Sequence, residues 1–458
     1  MNTNQRFPLM LELWTAFERL ASRAPHSREL VAADGFDEPQ CTMIYNGVPD
    51  IRNLWKTLLL RRTPHLQAVW RGPDGRAHLL AESHVAIQNR AYFCASLSLV
   101  LDRHRLVRDR ARQRLRETAS PGDLPVVEVS RTNARPSAVD VIRFGFRHVR
   151  EKFHNQFDKV MSRNGHWGIA LLSDEHSGRA RTLDETSIAS DAKWWLEIPS
   201  PQDRFYADPF VWLDAAGGYH LFFEDLPYAT NKGVISHVML DPVTKSWTAP
   251  PQVVLERPYH LSYPFLFEHE GDIFMIPETS GNRTIEVYRA TQFPAGWVHH
   301  ATMMQDIVAA DTTLYHDSGT WWLFTNVAQD RGPNWDELHL YHGPSPFGPW
   351  QAHPANPIVS DCRRARMAGN IFRDAKGRLI RPAQDCEREY GAALCFCEIT
   401  ELSPQGYRET PVLVMDAPAE RSGLHTWNKT GDVTVVDIKM NVYKRAKAQT
   451  GYYRLSWP

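Results

Sequence analysis

No stretch of the 458 residues approaches the ~20 uninterrupted apolar positions that a membrane-spanning helix needs. The best candidate, Ala95 to Leu101, stops at Asp102. Met1 to Ala21 is not expected to act as a secretory leader, since it carries Glu12 and Glu18 inside its apolar stretch. Neither sign of charge is in excess: 52 Lys+Arg against 53 Asp+Glu leave a formal charge of -1, so no global field gathers nucleic acid. The six cysteines form no CxxC pair and have no histidine at ligand spacing, which removes the usual zinc patterns and leaves buried thiols. Neither GxxxxGK[ST] nor GxGxxG occurs, so the standard phosphate loops are excluded. The expectation from these absences is a cytoplasmic protein with no metal, no cofactor and no nucleic-acid partner.

What the chain does hold is aromatic residues, 15 Trp, 15 Tyr and 20 Phe, with most of the Trp beyond position 190. There they sit in short runs with Val, punctuated by Gly, Pro, Asp and Asn, the composition of half-buried strands and hairpins. Earlier segments read differently. Phe7 to Ser22, Leu101 to Glu117 and Val139 to Met161 have apolar residues at helical spacing, the last two with many arginines, and Val69 to Ile87 reads as a hairpin around Gly72 to Gly75. At 458 residues the chain exceeds the ~250–300 that one core serves. We expect an N-terminal α/β or helical domain over 1–190, a second domain over 191–440 and a basic C-terminal tail over 441–458.

The second domain is repetitive. ADPFVWLDAAGGYHLFFED, SYPFLFEHEGDIFMIPETS, ADTTLYHDSGTWWLFTN, AGNIFRDAKGRLIRPAQD and SGLHTWNKTGDVTVVDIK share one form: a strand, a tight turn with Gly, and a second apolar strand. Their turn glycines, Gly218, Gly271, Gly319, Gly377 and Gly431, fall at intervals of 53, 48, 58 and 54 residues. Each repeat continues with further strand candidates. A period near 50 with four strands per unit predicts a mainly β fold, a five-bladed β-propeller. In such a blade the start of the first strand and the end of the second share a rim. That rim collects Asp208, Tyr263, Asp311, Gly369 and Gly423 from strand starts, and Glu224, Asp225, Glu278, Asn326, Gln384, Asp385 and Asp437 from strand ends.

On these residues the chain resembles two groups. The Asp of ADPF, the Asp of ADTT and the His of LHTW are similar to the glycosidases of glycoside hydrolase family 43 and their levansucrase and invertase relatives. The fuller set FYADPF, FFED, HLSYPF, IPETS, WWLF, HPANPI and RPAQD more closely resembles the domain at the N-terminal end of plant glucosamine inositolphosphorylceramide transferases, over roughly 195 to 440. The glycosidase resemblance implies carboxylates in complementary roles, because an oxocarbenium-like transition state needs one ionised carboxylate and one acid. It makes Asp208 the base or nucleophile and Asp311 the orienting residue. The chain departs from the glycosidases at the proton donor, where the fourth repeat begins Ala368-Gly369-Asn370; Glu278 stands first as substitute, with Asp385 as the alternative.

Other polar residues at the rim are candidates for holding a sugar or phosphate: His260, Tyr263, Arg283, Arg366, Arg381, Gln384, Asp385 and His425. Arginine suits phosphate because its planar donors bind bidentately. His425 is read either as a channel residue or as a satisfied core histidine. The expected function is glycosyl transfer or glycoside hydrolysis in surface polysaccharide or glycolipid biosynthesis, with a glycan or glycosyl donor as partner. The alternative is a non-catalytic glycan-binding or scaffolding propeller. The basic helices of the first domain add an expected peripheral contact with anionic lipid, set against a solvated helix face.

Overall fold

The computed structural model describes residues 8–22, 36, 40–130, 135–173, 195–198, 200–241, 247–329, 332–418, 421–431 and 433–443. The chain forms two compact units, one of residues 1–157 with Gln329–Pro333, the other of the remainder. The first unit is α/β. It contains α1 (Leu9–Ser22), β1 (Cys41–Tyr45), α2 (Ile51–Leu59), β2 (His65–Arg71), β3 (Ala77–His84), α3 (Phe93–Glu117), β4 (Val126–Val127) and most of α4 (Ala138–Met161). The expected hairpin at Gly72 to Gly75 is the β2–β3 turn, closed by Gly72 N–H donating to Arg76 C=O at 3.0 Å. The four strands form one antiparallel sheet, and its apolar side joins the helices around Trp55, Phe93, Leu97 and Phe144. Glu18 of α1 accepts the first N–H groups of α3, those of Phe93 and Cys94, at 3.0 and 2.8 Å, so one helix caps the positive end of another.

The second unit is mainly β, with five four-stranded antiparallel sheets among the described residues. In chain order they are β7 (Arg204–Leu213), β8 (Tyr219–Pro227), β9 (Val234–Leu240) and β10 (Gln252–Leu255); β11 (Ser262–His269), β12 (Asp272–Glu278), β13 (Thr284–Gln292) and β14 (Ala295–Gln305); β15 (Ala309–Asp317), β16 (Thr320–Val327), β17 (Leu338–Gly343) and β18 (Gln351–Ala352); β19 (Phe372–Arg373), β20 (Leu379–Asp385), β21 (Ala393–Leu402) and β22 (Tyr407–Asp416). The fifth combines β23 (Trp427–Thr430) and β24 (Val433–Tyr443) with β5 (Ser162–Ser173) and β6 (Trp195–Ile198). The second strand of each repeat is paired on both sides, and β8 (YHLFFEDLP) is buried over all but its last residue.

The division falls after Phe157 and not at the expected 190, because β5 pairs with β24 and so belongs to the fifth sheet. Of the expected tail over 441–458, residues up to Tyr443 continue β24 and the rest lie outside the described residues. No helix among the described residues is long and apolar enough to cross a membrane.

Candidate functional site

One backbone irregularity recurs at the start of the repeats. The β7–β8 register slips between Ala207 and Phe210, β11–β12 between Ser262 and Phe265, and β15–β16 between Ala310 and Thr313. The residue just inside each slip, Asp208, Tyr263 or Asp311, has φ of 50°, 45° or 51°. A left-handed residue in a bulge costs free energy and re-aims its side chain. In the fourth sheet the corresponding Gly369 has φ of 130°, and a Cβ there would meet the Trp427 carbonyl oxygen at 2.0 Å. ADPF, SYPF, ADTT and AGNI are therefore four versions of one device. Immediately before the slips, the register pairs Ala207 with Glu224, Ser262 with Glu278 and Ala310 with Asn326, so the expected strand-start and strand-end residues do meet.

Asp208 is buried among the fifth sheet's residues. Its Oδ1 accepts from Thr426 Oγ1 at 2.7 Å and lies 3.7 Å from His425 Nε2, and its Oδ2 accepts from Tyr263 N–H at 3.3 Å. Burial pushes its pKa up to about 6 against the pull of His425. Asp437 fixes this arrangement by accepting the N–H groups of Asp208, His425 and Thr426, each at 2.9 Å. Its carboxylate also touches His425 Nδ1. Burial opposes the charge on His425, but Asp437 and Asp208 outweigh it and hold the ring up to about 9. The ring stacks on Trp167 with centroids 4.0 Å apart. Asp208, His425 and Asp437 offer ligand atoms within 4.8 Å of one another, yet the imidazolium already neutralises part of that charge.

Asp311 is gripped by Arg366, with Nε–Oδ2 at 2.6 Å and Nη2–Oδ1 at 3.0 Å, and Gln384 Nε2 donates to Oδ2 at 3.1 Å. Burial pushes Asp311 upward, with Glu278 and Asp208 adding to it, while the arginine favours the ionised form. A buried guanidinium donating to both oxygens makes Asp311 the anion of an ion pair. The same Arg366 reaches Glu278 Oε2 at 3.4 Å and Asn334 Oδ1 at 2.7 Å, and lies 5.1 Å from the centre of the Tyr390 ring. Glu278 also accepts from Ser280 Oγ at 2.6 Å.

His260 is the more open member of the group, its side chain 39% exposed, and its Nε2 lies 3.2 Å from Glu224 Oε1. Its Nδ1 accepts Gly233 N–H at 3.0 Å, which fixes the Nε2–H tautomer. Burial opposes a second proton while Glu224, Glu278 and Asp208 favour it. The acids outweigh burial and hold the ring up to about 9, and a second proton at Nδ1 would have to displace the Gly233 bond.

Not every expected residue joins these clusters. Tyr263 is fully buried, and its hydroxyl is occupied by Gly369 N–H at 2.8 Å and Thr313 Oγ1 at 2.9 Å, so it is a tie between sheets. Arg381 is fully buried in a bidentate pair with Glu409 at 2.8 and 2.7 Å and donates to Arg364 C=O, so its donors are spent within the structure. Arg283 is exposed on the β12–β13 turn and donates to Asp306 C=O. Asp385, which burial pushes up to about 6, accepts Glu387 N–H, and no hydrogen bond among the described residues ties it to Asp208, Asp311 or Glu278. Gln384 serves Asp311. Spacing places Glu224 and Asp437 at the rim through their offset from the turn glycines without assigning them a role, and it carries no signal for Thr426 or Asn334.

Asp208 and Asp311, both buried and aimed by bulges, and Glu278 are thus three carboxyl groups of a mainly β unit, two of them bridged by Arg366. Residues 182–443 match the family described as "Glucosamine inositolphosphorylceramide transferase 1, N-terminal", and the chain belongs to that family. The resemblance carried by FYADPF, HLSYPF and IPETS is borne out. The chain is 34% identical over 279 residues to the glucosamine inositolphosphorylceramide transferase 1 of Oryza sativa subsp. japonica, covering 58% of this chain and 37% of the rice protein. For the Arabidopsis thaliana protein of the same name the identity is 33% over 228 residues, covering 49% and 29%. The chain thus spans about a third of the length of the curated relatives it matches. Among solved structures it is similar to Zg3597, a family 117 glycoside hydrolase of Zobellia galactanivorans (13% identity, TM-score 0.38, 60% of this chain and 91% of that one). It is also similar to the Bombyx mori GH32 beta-fructofuranosidase (12% identity, TM-score 0.40, 52% and 56%).

Proposed function

We propose that the five sheets close into a five-bladed propeller whose carboxylate mouth binds a glycosyl group and transfers or hydrolyses it, in the synthesis of a surface polysaccharide or glycolipid. Closure is supported by hydrogen bonds that run from sheet to sheet and return: Tyr263 to Asp208, Tyr263 to Thr313, Met367 to Asn326, Trp427 to Ala368 and Asp208 to Asp437. The observation that carries the function is Arg366 joining Asp311 to Glu278 while Asp208, pushed up to about 6, lies close enough to raise Asp311 further. In this reading Asp208 is the base or nucleophile, mostly ionised near neutral pH and ready to take a proton. Asp311 orients through Arg366, and Glu278 gives the proton. The relatives' name speaks of glucosamine and inositolphosphorylceramide, which fits a glycosyl group and a phosphate-linked partner. His260 and Arg283, the exposed cationic-type donors, are suited to that phosphate.

A second reading, glycan binding without turnover, is favoured by the occupancy of both Asp311 oxygens, an arrangement that also serves as a structural ion pair. The test is incubation of the full chain with nucleotide sugars and p-nitrophenyl glycosides, with inositol phosphates as acceptors. Product formation supports transfer or hydrolysis, saturable binding without product supports the second reading, and neither contradicts both.

A further inference from the structure

The first unit carries an apolar surface that its own core does not use. In α4, Val141, Phe144 and His148 are buried against the core, with Trp14 of α1 packed on Phe144 and His148 at 5.6 and 5.5 Å. The other side of the helix is apolar too: Val139, Ile142, Phe146, Val149 and Phe153 are 52, 46, 75, 49 and 75% exposed. Their spacing of three and four residues places them in one stripe, about 21 Å long at 1.5 Å per residue. A helix apolar on two sides is normally covered on both, so an uncovered second side marks a contact surface. Alongside, α1 exposes Leu9, Leu13 and Phe17.

The charges beside the stripe identify what would cover it. By helical angle Arg143, Arg147 and Arg150 run along one side of the stripe and Lys152 along the other, and all four are exposed. The acids among the described side chains of this helix are engaged: Glu151 pairs with Arg61, and Asp140 is buried, accepting from Ser137 N–H and Oγ at 2.8 Å. The arginine-rich α3 does not offer the same face. Its Arg103 is buried, and Arg105 and Arg112 pair with Asp102 and Asp109.

We propose that α4, with the neighbouring exposed residues of α1, docks this protein on an anionic lipid surface. Phe146, Phe153 and their apolar neighbours enter the headgroup boundary while Arg143, Arg147, Arg150 and Lys152 meet the lipid phosphates. Docking by two copies of the stripe is disfavoured because it brings these like-charged flanks together. The inference stands apart from the reading of the carboxylate mouth.

The experiment is co-sedimentation of the full chain with phosphatidylcholine vesicles and with vesicles containing about 30% phosphatidylserine. Three proteins are compared: the natural chain, Phe146→Ser/Phe153→Ser and Arg147→Gln/Arg150→Gln, each checked for an unchanged circular dichroism spectrum. We expect binding to the anionic vesicles at least ten-fold above that to neutral ones, weakened by salt and reduced ten-fold or more by either double substitution. Equal binding of all three proteins overturns the proposal, as does no binding to anionic vesicles. A concentration-dependent dimer abolished by the Phe substitutions, with no vesicle binding, overturns it in favour of a second copy as the occupant.

Discussion

Arg366 holds both oxygens of Asp311, at 2.6 and 3.0 Å, and the guanidinium that does so also reaches Glu278 at 3.4 Å. One cation thereby bridges two carboxyl groups from separate sheets. Asp311 enters through the bulge of β15, and Glu278 closes β12.

Removing that cation strands a buried anion beside a second acid. Arg366→Met is expected to cost about 3–5 kcal/mol of stability in urea denaturation. Adding Asp311→Asn removes the stranded charge and should recover at least about 1 kcal/mol relative to the sum of the single losses. Strictly additive losses would show that the two residues do not act as a pair.

The bulge device makes a different demand at Gly369, where φ is 130° and a Cβ has no room. Gly369→Ala is expected to destabilise by about 3 kcal/mol or more, combining backbone strain with collision. Gly377→Ala, with φ of 79° and nothing within 4 Å of its Cβ, is expected to cost about 1 kcal/mol. Equal thermal shifts for the two would contradict the structural reading of AGNI.

His425 gives the fold a pH dependence. The folded state binds its proton more tightly than an unfolded histidine does, so this contribution is fully present below about pH 6.5. It is lost as pH rises through about 9, the range to which Asp437 and Asp208 hold the ring. Urea midpoints measured between pH 6 and 10 should fall by the equivalent of about 1–3 kcal/mol from this group in the natural protein. His425→Gln should be less stable at pH 6 and should lack that slope. A parallel slope in the variant would contradict the assignment.

Glu224→Gln tests the other pair. Glu224 is the leading influence favouring a second proton on His260, opposed by burial. The variant should lower the His260 titration midpoint by about one unit in an NMR histidine titration. An unchanged midpoint would show that the 3.2 Å contact is not an energetic one.

Much of this was legible because strand and turn are local. The aromatic runs, the glycine spacing and the repeated ADPF-like starts specify paired strands, and the observed register joins the residues that counting from the turn glycines puts at one rim. The first sheet shows the limit of that counting, since the left-handed turn glycine is Gly217 and not Gly218. What a side chain touches across sheets was not legible. Tyr263 sits at the same position as Asp208 and Asp311, but its longer side chain reaches Gly369 and Thr313 and is spent there. Arg381 finds Glu409, 28 residues on, on a strand two places away in its sheet. Asp437 matters because three backbone N–H groups from two sheets converge on it, a fact that depends on how the sheets meet.

The central claim is that Asp208 does chemistry on a glycosyl group. The most direct measurement is product formation from the nucleotide-sugar and glycoside panel by the natural protein and Asp208→Asn side by side, with melting temperature recorded for both. We predict product from the natural protein and a loss of at least about 100-fold in the variant, whose fold survives because Asn replaces Asp at equal size. Equal turnover by the two proteins would contradict the account.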